Sequence, residues 1–322
     1  MYKDQLYSMV AEEADFLNLL PGNHGQVYAP SVKVSIKGAP RLFNKGAQTE
    51  WSDGTNVTGA DSLRTGQVTI DIAKFSTQIF ISREEARYAV TQWSLVEYVK
   101  SMILKGAAET ITSVIINGDT QSNITTGNVN KKTNGANPVA LAGTEHFLTL
   151  DNGLRKVAIA NTVVAAAAIS RSQYQATLLK LGDYAADAPN LMWIASADAA
   201  TRARTVDGYD TMEKYGADAS NVKGGLIEMI EGIKVFKTRH LLSSVSSAGY
   251  IETGDDAANT KSQLMLLYKP SIQYAFGEDM VIVPIERAGG WMLDVAMWFG
   301  FVVADEVAGL DKVVATAIIN KS

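Results

Sequence analysis

One stretch, Ser82 to Asn117, constrains the fold more than any other: SREEARYAVTQWSLVEYVKSMILKGAAETITSVIIN. No proline interrupts it, and apolar residues recur at helical spacing through Ala86, Ala89, Trp93, Val96, Ile103, Ala107, Ile111 and Val114. Arg87, Gln92, Glu97, Lys100 and Glu109 take the other side, so an amphipathic helix is predicted. Ser82 with Glu85 makes a capping box, and Glu84 and Glu85 place negative charge in the first turn. Asn117-Gly118 is a stop signal. Gly106 costs about 1 kcal/mol relative to alanine inside a helix, and it is expected to mark a close crossing of another backbone. At about 1.5 Å per residue the helix would be roughly 50 Å long. No sustained heptad supports a coiled coil, so a long helix lying across a sheet is the expectation. Trp93 is expected to anchor it on a C-terminal sheet, with Val96, Ile103 and Ile111 completing the helix core.

Such a helix needs a large partner surface, and 322 residues, 47% of them hydrophobic, supply it. The net charge is -5 and the charges are dispersed, which argues against wrapping nucleic acid, since phosphate binding needs clustered Lys and Arg. There is no cysteine, so disulfides and thiolate metal sites are excluded and a reducing compartment fits. The first twenty residues carry acidic groups and no continuous apolar core, and they do not read as a signal peptide. The longest apolar run, Val295 to Ala304, is too short to span a bilayer.

In chain order, residues 1–30 read as a short amphipathic helix, stopped at Pro21-Gly22, and an extended arm. Leu6, Met9, Val10, Phe16, Leu17 and Leu20 form its apolar face. Docking on its own domain and reaching over a neighbouring subunit are both open, with the second slightly favoured. Val32, Val34 and Ile36 alternate as a strand, as do Val68, Ile70 and Ile72, continued by Ile79 and Ile81. The polar segment between them is long for a structureless connection. If its flanks pair, the piece is a long hairpin with little core of its own, and it needs support from outside its domain. A lid over an active site is the competing reading. Leu141 to Ala188 is alanine-rich and reads as helical, with Ser170 opening one helix. Leu191 to Ile194 is a buried strand, Ser196 caps the helix after it, and Leu226–Ile230 and Ile233–Phe236 form a hairpin across Glu231-Gly232. The C-terminal third offers strands at 249–252, 263–268, 280–285, 291–303 and 313–319, expected to form one antiparallel set.

Chemistry-bearing constellations are missing from the sequence. His24, His146 and His240 are isolated, and no HExxH, P-loop, dinucleotide fingerprint or GxSxG elbow occurs. Asp255-Asp256 and Asp305-Glu306 are more simply solvated loop acids. No catalytic, metal or cofactor-binding residue is assigned, and the chain reads as a protein that is not an enzyme.

The order of these parts carries a resemblance. An arm, a long ribbon, a long helix ending at Ile116-Asn117-Gly118-Asp119, an α/β domain with Leu191-Met192-Trp193-Ile194, and Gly232-Ile233-Lys234-Val235-Phe236-Lys237-Thr238 follow one another. The closing run goes from Tyr274 through Val283, Trp291 and Phe301 to Ala317. This resembles the major capsid proteins of tailed bacteriophages, with the HK97-type fold. The resemblance implies an α+β class. The N-terminal arm would be 1–30 and the extended loop with its strands 31–81. A peripheral domain with the spine helix would be 82–139, an axial domain 140–254, and the peripheral sheet 255–300. The last strands, 301–322, would return to the axial domain.

The function so implied is mechanical: self-assembly into pentamers and hexamers of an icosahedral shell around double-stranded DNA, held without sequence-specific binding. No membrane is involved, the site is the virion capsid, and assembly takes place in the bacterial host cytoplasm. Lys37, Arg41, Lys45, Glu50, Trp51, Asp53 and Arg64 are the inter-subunit contacts expected of the extended loop. The chain shows no scaffolding segment before the arm, so a separate scaffolding protein, or a processed chain, and a portal are expected partners. Some family members cross-link a loop lysine to a peripheral asparagine. Lys37 or Lys45 offers the lysine, but Lys261 to Ile319 holds no asparagine, so non-covalent contacts are expected instead. Two alternatives remain: an encapsulin-like nanocompartment shell, and an α/β enzyme with a flexible lid.

Overall fold

The computed structural model describes residues 15–37, 65–84, 95–120, 129–130, 147–161, 163–166, 169–203, 206, 222–223, 226–227, 229–241, 245–251, 259–278, 280–304 and 313–320. A short helix, α1 (Asp15–Asn18), and β1 (Gly22–Gln26) come first. Strands β2 (Ser31–Lys37) and β3 (Thr65–Asp71) flank residues 38–64, and β4 (Ala73–Ser82) precedes the long helix, α2 (Leu95–Asn117). Next come α3 (Leu154–Asn161), β5 (Val163–Ala166), α4 (Arg171–Leu179), β6 (Leu191–Ala195) and α5 (Ala197–Arg202). Short strands β7 (Val222–Lys223), β8 (Leu226–Ile227) and β9 (Met229–Ile230) lead to β10 (Ile233–Lys237). The chain continues through β11 (Lys261–Tyr268), β12 (Ile272–Phe276), β13 (Val281–Arg287), β14 (Gly290–Val303) and β15 (Val314–Asn320).

Two sheets organise these elements. In the five-stranded sheet, β14 is the long shared strand. One of its edges pairs with β4 from Gly290 to Phe299, and the other takes β13 and then β12. β1 adds to β12 in parallel. The six-stranded sheet runs β5-β15-β11-β6-β10-β9, parallel at β5–β15 and β6–β10 and antiparallel elsewhere. β2 and β3 pair in full antiparallel register, from Ser31 with Asp71 to Lys37 with Thr65, so the flanks of residues 38–64 form a two-stranded ribbon.

Burial explains the strand sequences. The six-stranded sheet is covered on both faces, so β6 is apolar and buried at all its positions, as doubly covered strands require. Met192, Ile194, Met265 and Leu267 join one apolar layer, while Leu191, Trp193, Leu264 and Leu266 join the other. The first layer also holds α2 and the inner face of the five-stranded sheet, including Ile103, Ile111, Tyr274, Val295 and Phe299. The second lies under α4 and α5 and is centred on Trp193, whose Nε1 donates to Ile230 O at 3.2 Å. α5 opens on Ser196, whose Oγ accepts from the Ala199 N–H at 3.3 Å. At the β9–β10 turn, Glu231 and Gly232 both adopt positive φ, 50° and 77°, as a two-residue primed hairpin turn requires.

Several expectations need correction. The C-terminal strands do not form one set: β11 and β15 lie in the six-stranded sheet, whereas β12, β13 and β14 build the five-stranded one. Residues 249–252 form no strand where they are described, and Val245 bridges Lys261 instead. Val163–Ala166, inside the stretch read as helical, is a strand that pairs in parallel with β15. Ser82 is still paired with Gly290, so the strand runs into the stretch read as helix; Glu85, its expected capping partner, lies outside the described residues. Among the described residues no backbone crosses Gly106: a Cβ there would meet none of them within 4 Å. In the N-terminal segment, Phe16 and Leu17 are 1% exposed within this chain's own core, and Gly22–Gln26 joins its sheet. Over 15–26 the chain is therefore docked on itself rather than reaching outward.

Candidate functional site

Three features of the described molecule bear on function: the junction at the end of α2, the cleft beside α2, and the ribbon with the sheet beneath it. The junction is built around Arg155 on α3, which is 0% exposed. A guanidinium has five N–H donors, and here each meets an acceptor. Nε donates to Gln263 Oε1 at 3.0 Å. Nη1 donates to Asn117 Oδ1 at 2.9 Å and Asn130 Oδ1 at 3.0 Å. Nη2 donates to the carbonyls of Val129 at 3.2 Å and Gly249 at 3.1 Å. Asn117 is the last residue of α2, and its Nδ2 donates to His240 O at 2.8 Å. Gln263 is central in the six-stranded sheet and passes the contact to Thr316 on β15 at 3.1 Å.

Asp119 balances the buried cation. It is 0% exposed, and its Oδ2 accepts from the Val129 N–H at 2.7 Å and from Lys156 Nζ at 3.1 Å. Burial pulls the Arg155 pKa down to about 10, and the Asp119 charge opposes that shift. Arg155 therefore stays charged at neutral pH. Two backbones touch beside this cage. A Cβ on Gly118 would lie 2.4 Å from Asp151 O, and one on Gly153 would lie 2.6 Å from Gly118 N. Only glycine fits at either crossing.

His240 is held at the same junction. Burial lowers its pKa, Arg239 lowers it further, and Glu109 opposes the shift. Glu109 and Arg239 are themselves ion-paired. A folded pKa below 6.5 means the unfolded chain takes the proton first, so this contribution is present above pH 6.5 and is lost as pH falls through the folded value. The thermal midpoint is expected to drop on acidification from about pH 7.5 to about 5.5, with His240→Gln shallower. An equal slope in the variant would show that His240 does not report at the junction.

Beside α2 a cleft of about 880 Å³ opens against β4 and β14, lined among others by Phe75, Ile79, Met102, Gly106, Met280 and Met297. Lys74 is the one titratable group in its described lining. Among the described residues no group of three or more His, Asp or Glu is placed to hold a metal ion. No helix among them is long and apolar enough to cross a membrane.

The ribbon is seated on the outer face of the five-stranded sheet. Ile70 is 0% exposed there, and a Cβ on Gly300 would meet Asp71 O at 2.4 Å and Ile70 Cγ2 at 2.9 Å. Further along the same face Phe80 pairs opposite Met292 and is 54% exposed. Of the expected contact residues, Lys37 closes β2, while Arg41, Lys45, Glu50, Trp51, Asp53 and Arg64 lie outside the described residues. Trp93 also lies outside them. Val96 falls in α2, and Ile103 and Ile111 are 6% and 1% exposed. Arg155 carried no sequence signal, because its acceptors come from five positions scattered from Asn117 to Gln263.

A paired ribbon, a long helix packed with two sheets, and a six-stranded sheet covered on both faces make up a fold shared with solved phage capsid chains. A chain of the satellite phage P4 procapsid matches with TM-score 0.58 at 11% identity, over 99% of this chain and 90% of its own. A capsid chain of Helicobacter pylori bacteriophage KHP30 matches with TM-score 0.57 at 11% identity, over 95% and 91%. The SrpI encapsulin of Synechococcus elongatus matches with TM-score 0.53 at 11% identity, over 94% and 85%. At these identities the likeness is one of fold. No protein-family model matches the chain, and no curated protein matches its sequence.

Proposed function

We propose that this chain is the major capsid protein of a tailed bacteriophage, assembling as pentamers and hexamers into an icosahedral shell around double-stranded DNA. The observation that carries the reading is the fold match, which spans nearly the whole chain and nearly the whole of the phage capsid chains. In this reading the five-stranded sheet with α2 is the peripheral domain and the six-stranded sheet is the axial domain, which moves β11 out of the expected 255–300 peripheral sheet and keeps β14 in it to Val303. Residues 38–64 lie on an adjacent subunit, where Lys37, Arg41, Lys45, Glu50, Trp51, Asp53 and Arg64 supply the contacts. Trp51 is the anchor and the charged residues form its wet rim. The chain has no turnover of its own. It assembles in the host cytoplasm with a separate scaffolding protein and a portal, and it touches DNA through no sequence-specific contact.

Sedimentation of the purified chain tests this reading. Assemblies of megadalton mass are expected, and a monomer or small oligomer would contradict it. The encapsulin match favours a second reading, a nanocompartment with protein cargo. Particles that package DNA when coexpressed with packaging proteins support the phage capsid; particles that only retain a cargo protein support the compartment.

A further inference from the structure

We propose that Arg155 is the positioning residue that fixes the angle between α2 and the six-stranded sheet, and through it the curvature of the assembled shell. This rests on the capsid reading. At the junction the helix end, α3, the strand β11 and two loop carbonyls are tied to a single side chain. Apart from the Glu109–Arg239 ion pair, the described buried residues of α2 join an apolar layer, whose contacts are non-directional and tolerate small rotations. Hydrogen bonds to a planar fork do not tolerate them, because five donors in fixed directions must meet five acceptors. The glycine crossing of 118 with 153 removes the remaining slack, since backbone there meets backbone. A buried, fully satisfied polar cage specifies one geometry where an apolar one would allow several. A small angular error per subunit, repeated around a closed shell, changes its size.

Arg155→Lys keeps the charge but offers three donors, leaving acceptors of the cage unpaired. The control is Leu266→Ala, a truncation in the second apolar layer of the same sheet, away from the cage. Particle diameters are read by electron microscopy, with thermal midpoints measured on the same samples. The expected result is one diameter for wild type and for the control, and loss of the single diameter for Arg155→Lys. Particles of wild-type diameter from Arg155→Lys, or equal scatter from the control, would overturn the proposal. If Arg155→Lys does not fold, Asn130→Ala, which removes one acceptor at the half-buried rim, is read in the same way. If wild type forms no closed particle, the capsid reading fails and this proposal falls with it, whereas a uniform wild type with a uniform Arg155→Lys overturns the proposal alone.

Discussion

Replacing Gly46–Gly59 by a two-residue Asn-Gly turn is expected to leave the subunit folded and to abolish shell assembly. The base of the ribbon stays intact, because β2 and β3 pair from Ser31–Asp71 to Lys37–Thr65 and Ile70 is anchored on the sheet. Asn-Gly suits a tight antiparallel connection. The removed residues carry Glu50, Trp51 and Asp53 and almost nothing that builds a core, so the subunit loses little. On the capsid reading a neighbour would lose its anchor, and truncating an interface hot spot costs about 2 kcal/mol or more. Every subunit loses that contact, so the loss multiplies around the shell. Circular dichroism and sedimentation on one sample decide the matter. Normal particles would make the ribbon a surface loop, and an unfolded chain would place the tip in the subunit's own core.

Gly118→Ala is expected to cost about 3 kcal/mol or more and to yield insoluble subunit, as overpacking against backbone is among the severe classes of substitution. The added methyl would lie 2.4 Å from Asp151 O and 2.6 Å from Val114 O, and neither can rotate away. Moving either disturbs the end of α2, where Asn117 and Asp119 enter the Arg155 cage. Gly106→Ala is the matched contrast. It sits inside α2, with none of the described residues within 4 Å of the new Cβ, and helix propensity alone favours alanine there by about 1 kcal/mol. Denaturant midpoints of the two variants should therefore move in opposite directions. A tolerated Gly118→Ala would mean that the crossing is loose.

The same two glycines show what the sequence could and could not reveal. Gly106 interrupts a helical pattern at a cost, which reads as a crossing point, yet none of the described residues lies within 4 Å of a Cβ there. Gly118 reads in the sequence as a stop signal, and its tight crossing with Gly153 depends on a contact between distant segments. Where a segment is locally periodic, its type was legible: α2, β6, β10 and β14 follow from spacing, and the primed turn follows from Glu231-Gly232. Where pairing is non-local, it was not. Val163–Ala166 is a strand only because β15 offers it an edge, and β11 leaves its sequence neighbours to lie between β6 and β15. Arg155 is the extreme case. Its surroundings in the sequence, Leu154-Arg155-Lys156, describe an ordinary surface helix, and only the folded chain gathers its acceptors.

Electron microscopy of the purified full chain tests the capsid reading most directly. Closed icosahedral particles of uniform diameter, with residues 38–64 of each subunit lying over an adjacent one, are the predicted result. A field of monomers or small open oligomers, under conditions where the chain is folded, would contradict it.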